Sequence, residues 1–457
     1  GWEAVSSNGA AVLGSSRGIE AVFEYVKRDG TKIVFSAGNN KIFTGTSTLA
    51  AVTLPSGYSI SANNWKIVSF NNDVYFFQRG HAALVSVAGS TTLIAVADGG
   101  TAAPAANEVL AAYGRLWAAD ITANKYVVYW SDLLDGDDWH GGSSGSLDLT
   151  LVWPTGFDEV VALSAHNGFL IIFGKKSMIV YSGAAAPASM TLSDTIEGIG
   201  CIARDSVQHT GADILFLSDT GVRSLGRTIQ EKSLPLNDLS KNVRTDLTSL
   251  VPLQTNAIKS LYSADEAFYL LTLPDSDTTY CFDMRSPLQD GSQRATTWSG
   301  LHPLAFTTTE AGDIYFGLSS GIVKYSGYLD GTANYQMRYF SNPMDFGNAS
   351  NLKFLKKFNI TIIGGQNTNS TLNWGYDYST NFTKQVFTLT GSVNAGEYGV
   401  SEYNTTAEYT ATAIINTPKV NTSGSGEIVT IGIETEINDT AFSIQKIDIH
   451  ALLGRLI

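Results

Sequence analysis

Residues 169–183, FLIIFGKKSMIVYSG, hold two apolar runs on either side of the polar turn Gly-Lys-Lys-Ser. Short apolar runs joined by a turn of this kind predict two antiparallel strands. We expect Gly174 to supply the positive φ that a tight hairpin needs. The stretch therefore predicts a β-hairpin, and the next question is whether the chain repeats it.

The same pattern of strand, turn and strand recurs along the first 327 residues. The seven copies are Ile33–Thr44, Val74–Val87, Leu116–Trp130, Phe169–Gly183, Ile214–Leu225, Phe268–Phe282 and Ile314–Gly327. Their spacing of roughly 40 to 55 residues matches a four-stranded propeller blade, and an alternating segment such as Trp65–Phe70 precedes each copy. We expect residues 18–327 to form a β-propeller of about seven blades. Ordinary antiparallel meanders packed as a sandwich are the alternative.

One segment, residues 236–251, breaks the β pattern with the sequence LNDLSKNVRTDLTSLV. Its apolar residues at helical spacing are Leu239, Val243, Leu247 and Leu250. Asp238 is the expected N-cap residue of this inserted amphipathic helix. The helix either packs against the flank of the propeller or presents Leu239, Val243 and Leu247 to a neighbouring subunit.

The texture of the chain changes after Gly327, where the strands lengthen and the loops become rich in Asn, Thr, Ser and Gly. The predicted strands include Phe354–Ile363, Thr371–Tyr378, Glu408–Ile415 and Ile428–Ile437. This pattern predicts an antiparallel β-sandwich over residues 328–457. The expected fold class is thus all-β, with residues 1–17 as an N-terminal lead-in, then the propeller and then the sandwich.

Composition limits the possible partners. The chain of 457 residues has 29 basic and 42 acidic residues, for a formal net charge of −13. This balance argues against an extended surface that binds phosphate groups. The sequence contains no apolar run long enough to predict a membrane-spanning helix. Its two cysteines, Cys201 and Cys281, lie in apolar runs and are expected to be buried free thiols.

Catalytic motifs were sought and none has a defensible spacing. The six histidines are far apart in sequence, and no zinc-binding or phosphate-binding motif is present. The most suggestive cluster is SDLLDGDDW, residues 131–139, which partly matches the aspartate boxes of propeller sialidases. Its glycine follows Asp135 directly, so the spacing fails, and Asp135, Asp137 and Asp138 are expected in a solvated turn above Trp139. We predict no catalytic, cofactor-binding or metal-binding residues and no enzyme activity.

Three segments together resemble a known family. They are residues 198–225 (GIGCIARDSVQHTGADILFLSDTGVRSL), the opening stretch 169–183, and residues 442–455 (FSIQKIDIHALLGR). The chain resembles the tail nozzle, or packaged-DNA stabilisation, proteins of short-tailed bacteriophages. The resemblance implies a virion protein that forms a homohexameric ring below the portal and adaptor proteins and beside tail fibre, spike or needle proteins. It also implies non-specific passage of double-stranded DNA, with no catalytic residues. A propeller glycosidase or a glycan-binding tail adhesin is the alternative function.

Overall fold

The computed structural model describes residues 1–14, 18–154, 156–231, 238–365, 368–389, 395–396, 408–409 and 415–456. They belong to two compact units. The propeller unit is Ala4–Lys324, and the sandwich unit is Gly1–Glu3 together with Tyr325–Ile457. Residues 15–17 of the predicted lead-in, 236–237 of the predicted helix and 410–414 of a predicted strand lie outside the described residues.

Seven consecutive antiparallel sheets form the blades of the propeller unit, numbered 1 to 7 in chain order, and a short hairpin of Ala97–Asp98 with Thr101–Ala102 lies between blades 2 and 3. The strands are Ile19–Val26, Lys32–Gly38, Lys41–Thr44 and Ala50–Ala51 in blade 1; Lys66–Phe70, Asp73–Phe77, Leu84–Ser86 and Ile94–Ala95 in blade 2; Ala106–Ala112, Arg115–Ile121, Val127–Trp130 and Gly145–Asp148 in blade 3; Val160–His166, Phe169–Gly174, Ser177–Ser182 and Thr191–Glu197 in blade 4; Gln208–His209, Ile214–Ser218 and Gly221–Ser224 in blade 5; Lys259–Ser263, Phe268–Leu273, Thr278–Asp283 and Arg294–Ser299 in blade 6; and Ala305–Thr308, Ile314–Leu318 and Gly321–Tyr325 in blade 7. All seven hairpins predicted from the sequence are present, one in each blade.

The blades form a closed ring. The first strand of each blade contacts the first strand or the first turn of the next, so these segments line a common axis. The ring closes at Ile19–Val26, which contacts both Lys66–Phe70 of blade 2 and Ala305–Thr308 of blade 7. In blade 5 the 3₁₀ turn Arg204–Ser206 shares the inner position with Gln208–His209. The predicted β-propeller is therefore confirmed, and the sandwich alternative for this region is wrong.

The apolar core of the propeller lies between neighbouring blades. Phe35 of blade 1 meets Phe76 of blade 2 edge to face, with ring centroids 5.3 Å apart. Phe173 of blade 4 and Phe216 of blade 5 repeat this contact at 5.2 Å. All four rings are fully buried, and burying such a side chain contributes about 1.5–3 kcal/mol. The continuous apolar runs of the hairpins are thus explained by two faces that both pack against other blades.

The hairpin of blade 4 is held by a buried carboxylate that no sequence pattern indicates. Asp158 is buried and accepts hydrogen bonds from the backbone N–H groups of Lys175, Lys176 and Ser177, at 3.0, 2.9 and 3.0 Å. Gly174 does not adopt a positive φ, so that expectation was wrong. A Cβ at this position would collide with the Asp158 carboxylate. Glycine is needed here because the carboxylate approaches the backbone closely.

The helices are short. Those in the described part of the chain are α1 (Gly9–Leu13), α2 (Leu225–Glu231) and α3 (Arg244–Leu250). The 3₁₀ turns found there are Val87–Gly89, Pro187–Ser189, Arg204–Ser206, Lys241–Val243, Val251–Leu253 and Pro274–Ser276. Among the described residues, no helix has both the length and the hydrophobicity that crossing a bilayer requires.

Helix α3 occupies the predicted helical insertion but begins later than expected. Its N-cap residue is Val243, which makes no side-chain capping bond. Asp238 is fully buried and instead forms an ion pair with Arg244 at 2.5 Å. The prediction of Asp238 as N-cap was therefore wrong, because its carboxylate is used to neutralise an arginine of the helix.

The N-terminal segment takes part in the propeller. Residues 4–13 of this segment belong to the propeller unit. The N–H groups of Val5 and Ser6 both donate to the carbonyl oxygen of Ile322, each at 3.1 Å. Leu13 of α1 is fully buried in a cluster with residues of blades 1 and 7. This segment was expected to be a lead-in separate from the propeller, and the described part of it helps to close the ring.

Two antiparallel sheets form the body of the sandwich unit in the described residues, which also contain a short parallel pair, Ala395–Gly396 with Glu408–Tyr409. One has the strand order Tyr335–Phe340, Val429–Ile437, Asn369–Tyr376 and Thr383–Thr388. The other is built on Asn351–Gly364, which pairs with Phe442–Leu456 on one side and with Ile415–Asn416, Lys419–Asn421 and Ser425–Gly426 on the other. Side chains of both sheets share one buried cluster that includes Phe358, Ile360, Leu372, Trp374 and Ile433. Two sheets around one core make the β-sandwich that the sequence predicts.

Candidate functional site

Charged side chains from several inner strands meet in the propeller unit, and we call this group the axial cluster. It consists of Lys66, Glu108, Arg204, Asp205 and Lys259. These residues come from blades 2, 3, 5 and 6 and lie in or beside the first segment of each blade. Because closure of the ring brings the first segments together, residues far apart in sequence become neighbours.

Arg204 connects three blades through its guanidinium group. It donates to the carbonyl oxygen of Asn107 in blade 3 at 2.5 Å and to Oδ1 of Asn64, just before blade 2, at 2.8 Å. It also forms an ion pair with Asp205 at 2.8 Å, and its side chain is only 5% exposed. The rigid planar fork of arginine suits such divergent contacts. Arg204 therefore acts as a cross-link among blades 2, 3 and 5.

Asp205 balances the buried cations of the cluster. Its carboxylate accepts from Lys259 Nζ of blade 6 at 2.8 Å and from Arg204 Nε at 3.0 Å. Burial alone would raise the pKa of Asp205, but the positive charges of Arg204, Lys259 and Lys66 overcome it and hold the pKa well below its usual range. Burial lowers the pKa of Lys259 despite this partner. Asp205 is thus ionised and committed to its neighbours.

Glu108 is the least satisfied member of the axial cluster. Its Oε1 accepts from the Leu163 N–H at 3.3 Å, whereas its buried Oε2 accepts no hydrogen bond from the described residues. Oε2 lies 3.6 Å from Lys66 Nζ and 4.0 Å from the Arg204 guanidinium. Burial is the largest influence and raises the pKa of Glu108. A raised and a lowered carboxyl pKa side by side is a pattern seen in acid–base sites.

The small size of the neighbouring cavity argues against acid–base chemistry in the axial cluster, because a substrate could not reach Glu108. The cavity beside it has a volume of about 200 Å³ and is lined by Asp205, Lys66 and Lys259 but not by Glu108. Pockets that hold small ligands have volumes of about 300–1,000 Å³. Both oxygens of Asp205 are already hydrogen-bonded by Arg204. The axial cluster therefore works as a structural lock that joins the blades.

The aspartate-rich segment 131–139 forms a turn as predicted, but only Asp135 of its three predicted solvated carboxylates is exposed, and Asp137 and Asp138 are partly buried. Asp135 Oδ1 accepts from the N–H groups of Asp137 and Asp138 at 2.9 and 3.3 Å. Trp139 is buried beneath it and donates to the Gly136 carbonyl at 2.8 Å. Burial is the main cause that raises the pKa of Asp137. Asp135 and Asp138 accept hydrogen bonds from their own turn, whereas the buried Oδ1 of Asp137 accepts none from the described residues.

One group of potential metal ligands lies at the end of this turn. Oxygen or nitrogen atoms of Asp98, Asp138 and His140 lie within 4.8 Å of one another. Asp138 Oδ1 already accepts from the N–H groups of His140 and Gly141, at 3.0 and 2.7 Å. The arrangement could hold a cation, but Asp98 and His140 are exposed, and no second feature of the described residues points to an ion there.

The three residues predicted for a subunit interface lie at and before helix α3. Leu239 and Leu247 are buried in the core between blades 5 and 6, and Val243 packs partly buried against the same cluster. Their side chains are therefore occupied inside the chain, as in the packing alternative. A contact with another subunit would have to use different residues, and the proposal of Leu239 and Leu247 as an exposed interface is corrected by their burial.

The sandwich unit has an apolar cleft that sequence reasoning missed. It has a volume of about 660 Å³ and runs between the strands Tyr335–Phe340 and Phe442–Leu456. Within the described part of the sandwich unit, each of these strands pairs with one neighbour in its sheet. The apolar side chains that line the cleft are Tyr328, Tyr335, Met337, Tyr339, Ile437, Phe442, Ile444 and Ile447, and the polar ones are Ser443, Gln445 and Lys446. The alternation of apolar and polar residues in FSIQKIDI, residues 442–449, predicts a strand with one apolar face but does not tell that this face lines a cleft.

Comparisons with known proteins leave the family open. No protein family matches the sequence, and no curated protein matches it either. Solved structures with some similarity include the WD40 β-propeller domain of Doa1, at 10% identity over 71% of this chain and 96% of that one, with a TM-score of 0.42. BamB from Moraxella catarrhalis is 9% identical over 67% of this chain and 84% of its own, with a TM-score of 0.40. The extracellular domain of a putative hybrid two-component system from B. thetaiotaomicron is 10% identical over 86% of this chain and 55% of its own, with a TM-score of 0.47. These values are too low to carry a functional argument.

Proposed function

We propose that this chain is a structural protein of a short-tailed bacteriophage virion and forms the nozzle ring of its tail. The axial cluster is the observation that carries the proposal. Its carboxylates, amides and cations bond to one another across four blades, so the propeller axis is built for rigidity. The segments that resemble the nozzle family contain Arg204 and Asp205 of this cluster, the blade 4 hairpin and the free edge strand of the sandwich.

Ring formation has an electrostatic cost that the interfaces must offset. Each subunit carries a net charge of −13, which gives −78 in six copies. Self-repulsion of this size requires contacts that bury apolar area or bind cations. Cyclic symmetry also requires that one surface meets a different surface on the next subunit. In this proposal the apolar cleft of the sandwich unit, with its two unpaired strand edges, supplies part of that contact area.

The acidic balance also suits a DNA conduit. Binding to duplex DNA depends on Lys and Arg side chains that neutralise phosphates. A lumen with an excess of carboxylates would offer few such partners, so packaged DNA would slide with little friction. Portal and adaptor proteins above the ring, and fibre, spike or needle proteins beside it, are the expected neighbours.

A propeller glycosidase is the weaker candidate. Glycoside hydrolysis needs two carboxyl groups that face the substrate from opposite sides. In the propeller unit, Asp205 is neutralised by Arg204 and Lys259, and the oxygens of Asp135 and Asp138 accept hydrogen bonds from their own turn.

Electron microscopy of the purified chain tests the proposal. Class averages should show six-fold rings with an open lumen, and fluorescence anisotropy with duplex DNA at low salt should show no binding. A Tyr339→Lys variant should weaken ring formation because it removes an apolar side chain of the cleft and adds a second positive charge to that of Lys446. Tyr378→Lys is the matched control, since Tyr378 is 70% exposed and does not line the cleft. Single particles of one subunit, or tight DNA binding, would refute the proposal.

A further inference from the structure

A second cavity lies in the propeller unit, between helix α3 and the outer strands of blade 6. Its volume is about 320 Å³, at the lower end of the range for ligand pockets. The residues that line it are Asp246, Ser249, Leu250, Thr278, Tyr280, Thr297, Trp298 and Ser299. It is separate from the axial cluster and from the cleft of the sandwich unit.

The polar groups of this cavity are varied, and one is conspicuously unused. Tyr280 is only 2% exposed, and its hydroxyl group, which is not enclosed by protein atoms, makes no hydrogen bond with any described residue. A buried tyrosine hydroxyl normally finds a partner. Burial and the nearby Asp246 carboxylate raise the pKa of Tyr280, so the phenol keeps its proton and remains a donor. A nearly buried donor that lines a cavity indicates a ligand with an acceptor oxygen.

Asp246 and Trp298 complete the recognition surface. The carboxylate of Asp246, which is exposed, forms no ion pair within the described part of the chain and can accept two hydrogen bonds. The indole of Trp298 is half-buried and contacts the Phe268 ring edge to face, with centroids 6.3 Å apart. This contact helps to fix the orientation of the indole. The cavity thus combines a positioned aromatic ring with a free carboxylate.

We propose that this cavity binds one neutral sugar ring of a glycan. A pyranose ring presents a face of C–H groups, which packs on an indole, and a rim of hydroxyl groups. Asp246 would accept from two of these hydroxyls, and the Tyr280 hydroxyl would donate to a ring or hydroxyl oxygen. Ser249, Thr297 and Ser299 supply further hydroxyl partners. Asp246 is the only charged residue among those lining the cavity, so it disfavours sialic and uronic acids.

The site does not depend on the ring proposal, and a glycan-binding chain could equally be a monomer. Surface glycans are what a virion protein could meet on a bacterial cell, but the chemistry of the cavity alone specifies the ligand class. The recognition residues lie on blade 6 and helix α3, far in sequence from the sandwich cleft that the ring proposal uses. The two proposals can therefore fail separately.

Saturation-transfer NMR with the full chain tests this inference directly. The probes are the methyl glycosides of glucose, galactose and mannose, N-acetylglucosamine, and sialic acid, at up to about 10 mM, because single sugars bind in the millimolar range. At least one neutral sugar should give transfer, and sialic acid should give none. Titration of the binding sugar then measures its dissociation constant in the parent chain and in variants.

Conservative variants separate binding from folding. Asp246→Asn should weaken binding about tenfold and Tyr280→Phe about fivefold, the range for losing a charged and a neutral hydrogen bond. Trp298→Ala should abolish binding. Asp439→Asn and Tyr378→Phe make the same chemical changes at exposed positions of the sandwich unit and should leave binding unchanged. No transfer from any neutral sugar, or equal affinity in Asp246→Asn, Tyr280→Phe and the parent, would overturn the proposal.

Discussion

Replacing Asp205 with asparagine removes one negative charge from the axial cluster while preserving the size of the side chain. Arg204 and Lys259 would remain buried, with side chains 5% and 9% exposed, and each would lose its closest counter-charge. Breaking a buried ion pair by removing one partner costs about 3–5 kcal/mol. We take about 3 kcal/mol, because the asparagine oxygen can still accept one hydrogen bond. The melting temperature of a domain of this size falls by about 2 °C for each kcal/mol of lost stability. The melting temperature of the propeller unit should therefore fall by about 6 °C.

Differential scanning calorimetry near neutral pH measures this change, and two variants make it specific. Asp313→Asn is the matched control because Asp313 forms a partly exposed ion pair with Lys324 at 2.9 Å, and such pairs contribute about 0–1 kcal/mol. Adding Lys259→Met to Asp205→Asn should recover part of the loss, since the unpaired cation is removed. If Asp205→Asn lowers the melting temperature no more than Asp313→Asn does, the axial cluster does not hold the blades together.

The same prediction has a defined pH dependence. The pKa of Asp205 is lowered well below its unfolded value of 3.8. Its contribution to stability is therefore present above about pH 4 and is lost as the pH falls through the folded-state pKa. The difference between the parent chain and Asp205→Asn should stay constant from about pH 5 to about pH 8 and shrink only in acid.

Three further predictions concern other buried groups. Burial raises the pKa of Glu108 above its unfolded value of 4.5, so the stability of the parent chain should fall as the pH rises above 4.5. Glu108→Gln has no such carboxyl group, and its melting temperature relative to the parent should therefore increase between about pH 5 and about pH 8. Leu247→Ala should lower the stability of the propeller by about 2–5 kcal/mol in calorimetry, because Leu247 is fully buried, and should leave the oligomeric state unchanged. Burial raises the pKa of Cys201 to about 11, so native protein should show no rapid thiol labelling at this position by mass spectrometry near pH 7, whereas denatured protein should.

Much of the fold could be predicted because it depends on local patterns. Each blade hairpin consists of two apolar runs of strand length joined by a few turn residues, and these are features of neighbouring residues. The longer alternating strands after Gly327 predict the sandwich for the same reason. Details that depend on side chains from elsewhere were missed. Gly174 is a glycine because Asp158 approaches it, and Asp238 caps no helix because Arg244 binds it.

The sites were harder to predict than the fold. Lys259 and Asn64 are 195 positions apart and meet only because the ring closes. A signal was nevertheless present, since polar pairs such as Asn107-Glu108 and Arg204-Asp205 stand at the start of inner segments in several blades. Leu239 and Leu247 could not be assigned to the core or to an interface from the sequence, because a helical apolar stripe does not tell which surface it packs against. Burial shows that both residues face the core of their own chain.

Native mass spectrometry of the purified chain can measure whether it assembles into the proposed ring of six subunits. Six copies of the 48.9 kDa chain have a mass of about 293 kDa. We expect a dominant species at that mass, which Tyr339→Lys reduces and Tyr378→Lys leaves in place. A spectrum that contains only the 48.9 kDa monomer at every concentration, or a closed dimer, would contradict it.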